Sequence, residues 1–147
     1  CQRSRISDRR LSSMTRISTS FHRSRELILV EATVTGRDRR ATRARLVVDT
    51  GAAATTLTPE LVEEIGYSRR DGYKAARVHT AIGEERGYWL HVAHLDVLGV
   101  STPNFAVTVF PLGHHDLDGL VGMNFLRHFN VEIRPGDRII HLEPLEP

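Results

Sequence analysis

Cysteine is nearly absent from this 147-residue chain, with Cys1 the only one. No intrachain disulfide can form and no cysteine cluster can hold a metal, so stability has to come from packing and association. Long apolar runs are missing as well, and no stretch approaches the roughly 20 residues that a membrane-spanning helix needs. No apolar stretch comes after the N-terminal charges as it would in a secretory signal. Serine and cysteine nucleophiles find no support: there is no Gly-x-Ser-x-Gly, and Cys1 stands at the extreme N-terminus. No internal repeat is visible. Length allows one domain with a core and leaves little room for a second.

Charge is present but unevenly spread. The formal net charge is +2, yet residues 1–25 carry seven arginines against the single acid Asp8, which leaves the remainder net negative by about four charges. Ser, Thr and Arg dominate residues 1–25, with Leu11, Met14, Ile17 and Phe21 too sparse for a core, so this segment reads as a disordered tail and residues 26–147 as the domain. A solvated extension is the simplest role for the tail. The alternatives are contact with nucleic acid or an anionic surface, or a targeting segment, since Arg- and Ser-rich acid-poor termini resemble transit peptides. Composition leaves the compartment open, favouring the cytoplasm slightly over envelope association of a truncated or processed N-terminus.

From Glu26 the chain turns β-branched and apolar. Glu26 to Thr35 predicts a strand with Ile28, Val30, Ala32 and Val34 on one face, and Ala44 to Val48 a second, more buried one after the polar turn Gly36 to Arg40. Thr58 as N-cap, Pro59 at N1 and Gly66 as the stop predict one short helix. Lys74 to Ala81 and Gly87 to Val97 predict a projecting hairpin around a turn at Ile82 to Arg86. Next come a turn at Leu98 to Ser101, a strand over Asn104 to Phe110 and a loop over Pro111 to Asp116. Leu120-Val121-Gly122 predicts a short strand and Met123 to Phe129 a second short helix; Val131 to Ile133 and Ile139 to Leu142 close the chain as a hairpin.

The sharpest signal is Leu46-Val47-Val48-Asp49-Thr50-Gly51-Ala52, an apolar strand that ends in an acid, a hydroxyl and two small residues. A carboxylate leaving a buried strand is desolvated, which disfavours its charged form and suits it to proton transfer. Gly51 permits a tight turn and a close approach, and the Thr50 hydroxyl can bind backbone across a contact. By itself Asp-Thr-Gly is as compatible with a plain turn. Roughly 70 residues later, Asp118-Gly119-Leu120-Val121-Gly122-Met123-Asn124-Phe125-Leu126 adds a strand, a glycine and a helix.

In that order and at those intervals, apolar-apolar-Asp-Thr-Gly-Ala, a Gly-tipped hairpin and apolar-apolar-Gly before a short helix resemble the retropepsin family of aspartic proteases, most of all its small stand-alone bacterial members. The resemblance spans Glu26 to about Glu143. It implies a mainly β fold, a closed β-barrel forming half of an acid protease, with a flap hairpin and two short helices. It implies Asp49 as the catalytic carboxylate, Thr50, Gly51 and Ala52 as the active-site loop and dimer lock, and a flap from about Val78 to Trp89. Substrate would meet Gly51, Ala53, Ala54, Thr80, Ala81, Ile82 and Gly83, while Leu120, Val121 and Gly122 would pass behind the loop. Ala53 and Ala54 depart from the family, whose members often carry Ser or Asp there. One Asp-Thr-Gly per chain implies a homodimer acting on a peptide or protein substrate, with neither metal nor cofactor.

Other residue patterns point elsewhere with less support. His91 and His94 sit three apart on a predicted strand and so face opposite sides. His114-His115-Asp116 could gather in a loop around a metal, and Asp116 with Asp118 could imitate a carboxylate pair, although Asp118 fits the turn before Leu120 better. Tyr88 and Trp89 read as packing residues at the flap base rather than a base-stacking platform. The rival from another class is a catalytically silent module that dimerises or binds peptide by strand addition.

Overall fold

The computed structural model describes residues 16–24, 27–81, 83–113 and 116–145. The expected domain start at Glu26, flap residue Ile82, the pair His114-His115 and the tail up to residue 15 lie outside them. Thirteen elements carry the fold: β1 (Ile17–Ser20), β2 (His22–Ser24), β3 (Leu27–Thr35), β4 (Ala41–Val48), β5 (Thr56–Leu57), α1 (Pro59–Glu64), β6 (Lys74–Thr80), β7 (Gly83–Val97), β8 (Val100–Val109), β9 (Gly119–Val121), α2 (Met123–Leu126), β10 (Phe129–Arg134) and β11 (Ile139–Pro144). Three-residue 3-10 turns occupy Arg37–Arg39 and Arg69–Asp71.

Eight strands form one sheet in the order β2-β3-β4-β9-β5-β8-β7-β6, and an added pairing of β3 with β7 brings that sheet back on itself. A smaller sheet runs β1-β11-β10. The fold is mainly β with two short helices, as expected. Period-two burial explains the strands: Val30, Ala32 and Val34 of β3 turn inward beside Ala44, Leu46 and Val48 of β4. They share one core with Leu90, Val92, Val107, Phe125 and Leu126. Core and sheet together fix the end of β4, and with it the point at which the chain enters Asp49.

Four sequence expectations need correction. Residues 17–24, assigned to the tail by composition, form β1 and β2: Ile17 pairs with Leu142 and His22 with Leu29, and Phe21 between the two strands is buried. The hairpin turn predicted at Ile82 to Arg86 is shorter than expected, because Gly83 to Arg86 already belong to β7 and Gly83 pairs with Thr80. The turn at Leu98 to Ser101 narrows to Leu98-Gly99, both with positive φ (55° and 78°), as in a type I′ hairpin turn, so β8 starts at Val100. The second helix stops at Leu126, and Phe129 opens β10 instead.

Helix α1 starts where predicted. The Thr58 hydroxyl accepts a hydrogen bond from the Leu61 amide at 3.3 Å, Pro59 occupies N1, and Gly66 takes φ 92° after the last turn. Thr58 is buried, so Thr58→Ala should cost about 1 kcal/mol of stability, read as a lower urea midpoint at unchanged slope.

Candidate active site

Asp49 succeeds the last residue of β4, where Val48 pairs in parallel with Val121 of β9 and the Asp49 amide donates to the Val121 carbonyl at 3.0 Å. The chain then turns sharply. The Gly51 amide donates to Asp49 Oδ1 at 2.9 Å, and the Ala52 amide to the Asp49 carbonyl at 3.3 Å. Asp49 is half-buried, while Thr50 and Gly51 are exposed. The expectation of an acid enclosed in apolar surroundings therefore does not hold for the single chain: its side chain is half-buried beside two exposed residues, with Oδ1 held by the Gly51 amide.

Behind the loop, α2 acts as a clamp. The Met123 amide donates to the Ala52 carbonyl at 2.7 Å and the Asn124 amide to the Ala53 carbonyl at 3.0 Å. Asn124 Oδ1 accepts from the Thr55 amide (2.8 Å) and the Thr55 hydroxyl (2.7 Å), and its Nδ2 donates to the Ala106 carbonyl on β8 (2.8 Å). Thr55 is fully buried, and its Oγ1 also accepts the Gly122 amide at 3.1 Å. Gly122 is where the two layers touch, since a Cβ there would lie 2.5 Å from the Ala54 carbonyl oxygen. Val121 thus joins the loop at the Asp49 amide, and Gly122 abuts it at Ala54. Thr55 and Asn124 escaped sequence reasoning; the one available signal was a lone Asn in the apolar run Leu120 to Leu126.

Asp118 serves the turn. Its Oδ2 accepts the Arg45 amide at 2.8 Å and its carbonyl accepts the Thr58 amide at 3.0 Å, tying β4 to the start of α1. His91 stacks on Tyr73 with ring centroids 4.5 Å apart.

A cleft of about 590 Å³ runs between the loop and the β6–β7 hairpin. Ala52, Ala53 and Ala54 line one side, Lys74, Ala76, Val78 and Glu85 the other, with Trp89, Phe110 and Leu112 also bordering it. Among the described residues, Asp49 is not one that lines the cleft, and neither are Ala81 and Gly83 near the hairpin tip. Val78 is 44% exposed, an apolar side chain presented into open space.

The hairpin root is fixed from two sides. A Cβ on Gly87 would lie 2.1 Å from the Val109 carbonyl oxygen, so β7 and β8 approach there as only glycine allows. Tyr88, buried, sits under the Arg69 guanidinium (5.5 Å to the ring centroid) and against Gly72. The 3-10 turn carrying Arg69 is held by Asp71, whose carboxylate accepts the Ser68 amide at 2.8 Å and pairs with Arg37. The Ser68 amide first, and Arg37 after it, hold the Asp71 carboxyl below its ordinary value of 3.8. A depressed value contributes stability above pH 3.8 that is lost only as pH falls through the lower folded value. An NMR titration of the Ser68 amide is expected to show its inflection below pH 3.8, and in Asp71→Asn that inflection should vanish.

A strand-borne Asp-Thr-Gly loop clamped from behind by an apolar-apolar-Gly strand and a short helix, within a mainly β sheet, defines a retropepsin-like aspartic protease fold. The family described as "gag-polyprotein putative aspartyl protease" matches residues 30–128, and the chain belongs to that family. Among solved structures, the crystal structure of a retropepsin-like aspartic protease from Rickettsia conorii is similar, with 23% identity over 88% of this chain and 92% of that one and a TM-score of 0.66. No curated protein matches the chain.

Proposed function

We propose that this chain is one subunit of a homodimeric aspartic endopeptidase in which the Asp49 carboxyls of two copies meet at the two-fold axis. The observation that carries the reading is the Asp49 loop itself: an acid at the end of a core strand, immobilised from behind by α2, yet half-buried with exposed Thr50 and Gly51 beside it. A second copy can reach such a surface, and a two-fold contact is self-complementary. The closed barrel and the active-site loop and dimer lock at Thr50, Gly51 and Ala52 belong to the same proposal.

Two carboxyls held a few ångströms apart cannot both ionise readily, so they share a proton. The ionised one activates a water lying between them, and the protonated one donates to the carbonyl oxygen of the scissile peptide bond. Neither a covalent intermediate nor a metal enters this scheme. The cleft under the hairpin has a volume of about 590 Å³, and Val78 borders it with an apolar side chain.

Sedimentation combined with a peptide-library cleavage assay across pH tests the proposal. Concentration-dependent dimerisation with cleavage strongest on the acid side is the expected result. The alternative, a silent module that binds peptide along the same cleft, draws on the alanine floor at Ala52 to Ala54, which offers no side-chain polar group to a substrate backbone. Peptide binding by a dimer that cleaves nothing at any pH would favour it.

A further inference from the structure

We propose that the cleft selects its peptide by charge, with Lys74 reading an acidic side chain at the hairpin root and Glu85 a basic one nearer the tip; the inference rests on the peptidase reading above and names the substrate class of that site. Both residues line the cleft. The register of the hairpin puts them on one face: Lys74 lies opposite Trp89, Ala76 opposite Gly87 and Val78 opposite Glu85. Directly opposed residues of an antiparallel pair project to the same side, and alternate residues of one strand return to it. These six therefore share a single surface, and all but Gly87 border the cleft.

The charges on the two faces of the ribbon differ in what they meet. On the far face Glu84 pairs with Arg77 at 3.4 Å and with Arg86 at 3.9 Å, so those charges answer one another. Arg77 also borders the cleft, but its guanidinium is engaged by Glu84. Lys74 and Glu85 are exposed and make no ion pair or side-chain hydrogen bond among the described residues. Across the cleft Ala52, Ala53 and Ala54 carry no charge that would neutralise them.

Spacing gives the pattern a substrate has to match. Lys74 and Val78 are four residues apart on β6, about 13 Å at the usual strand rise. A peptide extended alongside β6 repeats that spacing, so its side chains i and i+4 meet the two charges while i+2 meets Ala76 and Gly87. The class that fits is an extended segment with an acid and a base four positions apart and an apolar residue midway.

Peptides with a fixed apolar core and Asp or Lys placed at each flanking position in turn test this in the full chain, read by kcat/KM for cleavage and by fluorescence anisotropy for binding. Wild type should favour Asp over Lys by about fivefold at one position and Lys over Asp by about as much four positions away, the size of solvent-exposed charge interactions. Salt at about 1 M should remove both preferences. Lys74→Glu should reverse the first and leave the second, and Glu85→Lys should do the converse. Arg86→Glu, a charge swap on the far face, should leave both as in wild type. All three positions are exposed, so circular dichroism should show each variant folded. Preferences unchanged by the Lys74 and Glu85 swaps, or shifted as much by Arg86→Glu, would overturn the proposal. Should no peptide be cleaved, the peptidase reading fails on that result, and the anisotropy of the same peptides still decides whether the cleft sorts them by charge; binding blind to charge, or none at all, would overturn the sorting too.

Discussion

Asp49→Asn is expected to lower kcat/KM for peptide cleavage by about 10²–10⁴-fold, the range spanned by loss of a positioned acid–base group. Stability should change little, because an Asn side-chain oxygen can still accept the Gly51 amide that now bonds Oδ1 at 2.9 Å. The two effects are separable by measuring cleavage and thermal unfolding on one preparation. The proposed homodimer gives a sharper form of the test: if each subunit supplies one acid, a chain carrying Asn should depress the activity of wild-type partners by sequestering them. An Asn variant cleaving at the wild-type rate would remove Asp49 from the chemistry altogether.

Gly122→Ala should strain the scaffold directly behind the loop. The added methyl would lie 2.5 Å from the Ala54 carbonyl oxygen and 2.9 Å from that of Ala52, and both contacts are backbone that cannot rotate away. Relief requires α2 and the loop to separate, which weakens the bonds from Met123 to Ala52 and from Asn124 to Ala53. A loss of about 3 kcal/mol is expected, at the upper end of the usual cost of overpacking. Activity should fall with it even well below the unfolding midpoint, since the segment displaced is the one that begins at Asp49. Urea unfolding paired with cleavage assays in buffer alone would check both parts.

The loop and the strand behind it were legible because each is punctuated by residues with strict conformational meaning: an apolar run into Asp49-Thr50-Gly51, and another into Gly122. Helix α1 was legible for the same reason, through Thr58, Pro59 and Gly66. Features that failed to show in the sequence failed for definite physical reasons. Glu84, Glu85 and Arg86 read as a turn because a ladder projecting into solvent has no apolar face, so the alternation that announces a strand is missing. Strand β5 has two residues, fewer than any periodicity can register. The inward side chains of Ile17 and Phe21 were averaged away by the polar composition around them. Phe129 lies at helical spacing from Phe125 and touches its ring in the fold, but from the first position of β10.

Strand β7 runs 15 residues without a break, and its register with β8 begins only at Tyr88. From Glu84 to Arg86 the ladder pairs among the described residues are with β6. A hairpin built this way has no hinge at which to swing: it is a springboard bolted down at Gly87 and Tyr88, and the far end can rise only by flexing the two-stranded ribbon. Stiffness of the ribbon, set by cross-strand partners such as Val78 with Glu85 and Arg77 with Arg86, would then govern how readily a peptide is admitted and let go.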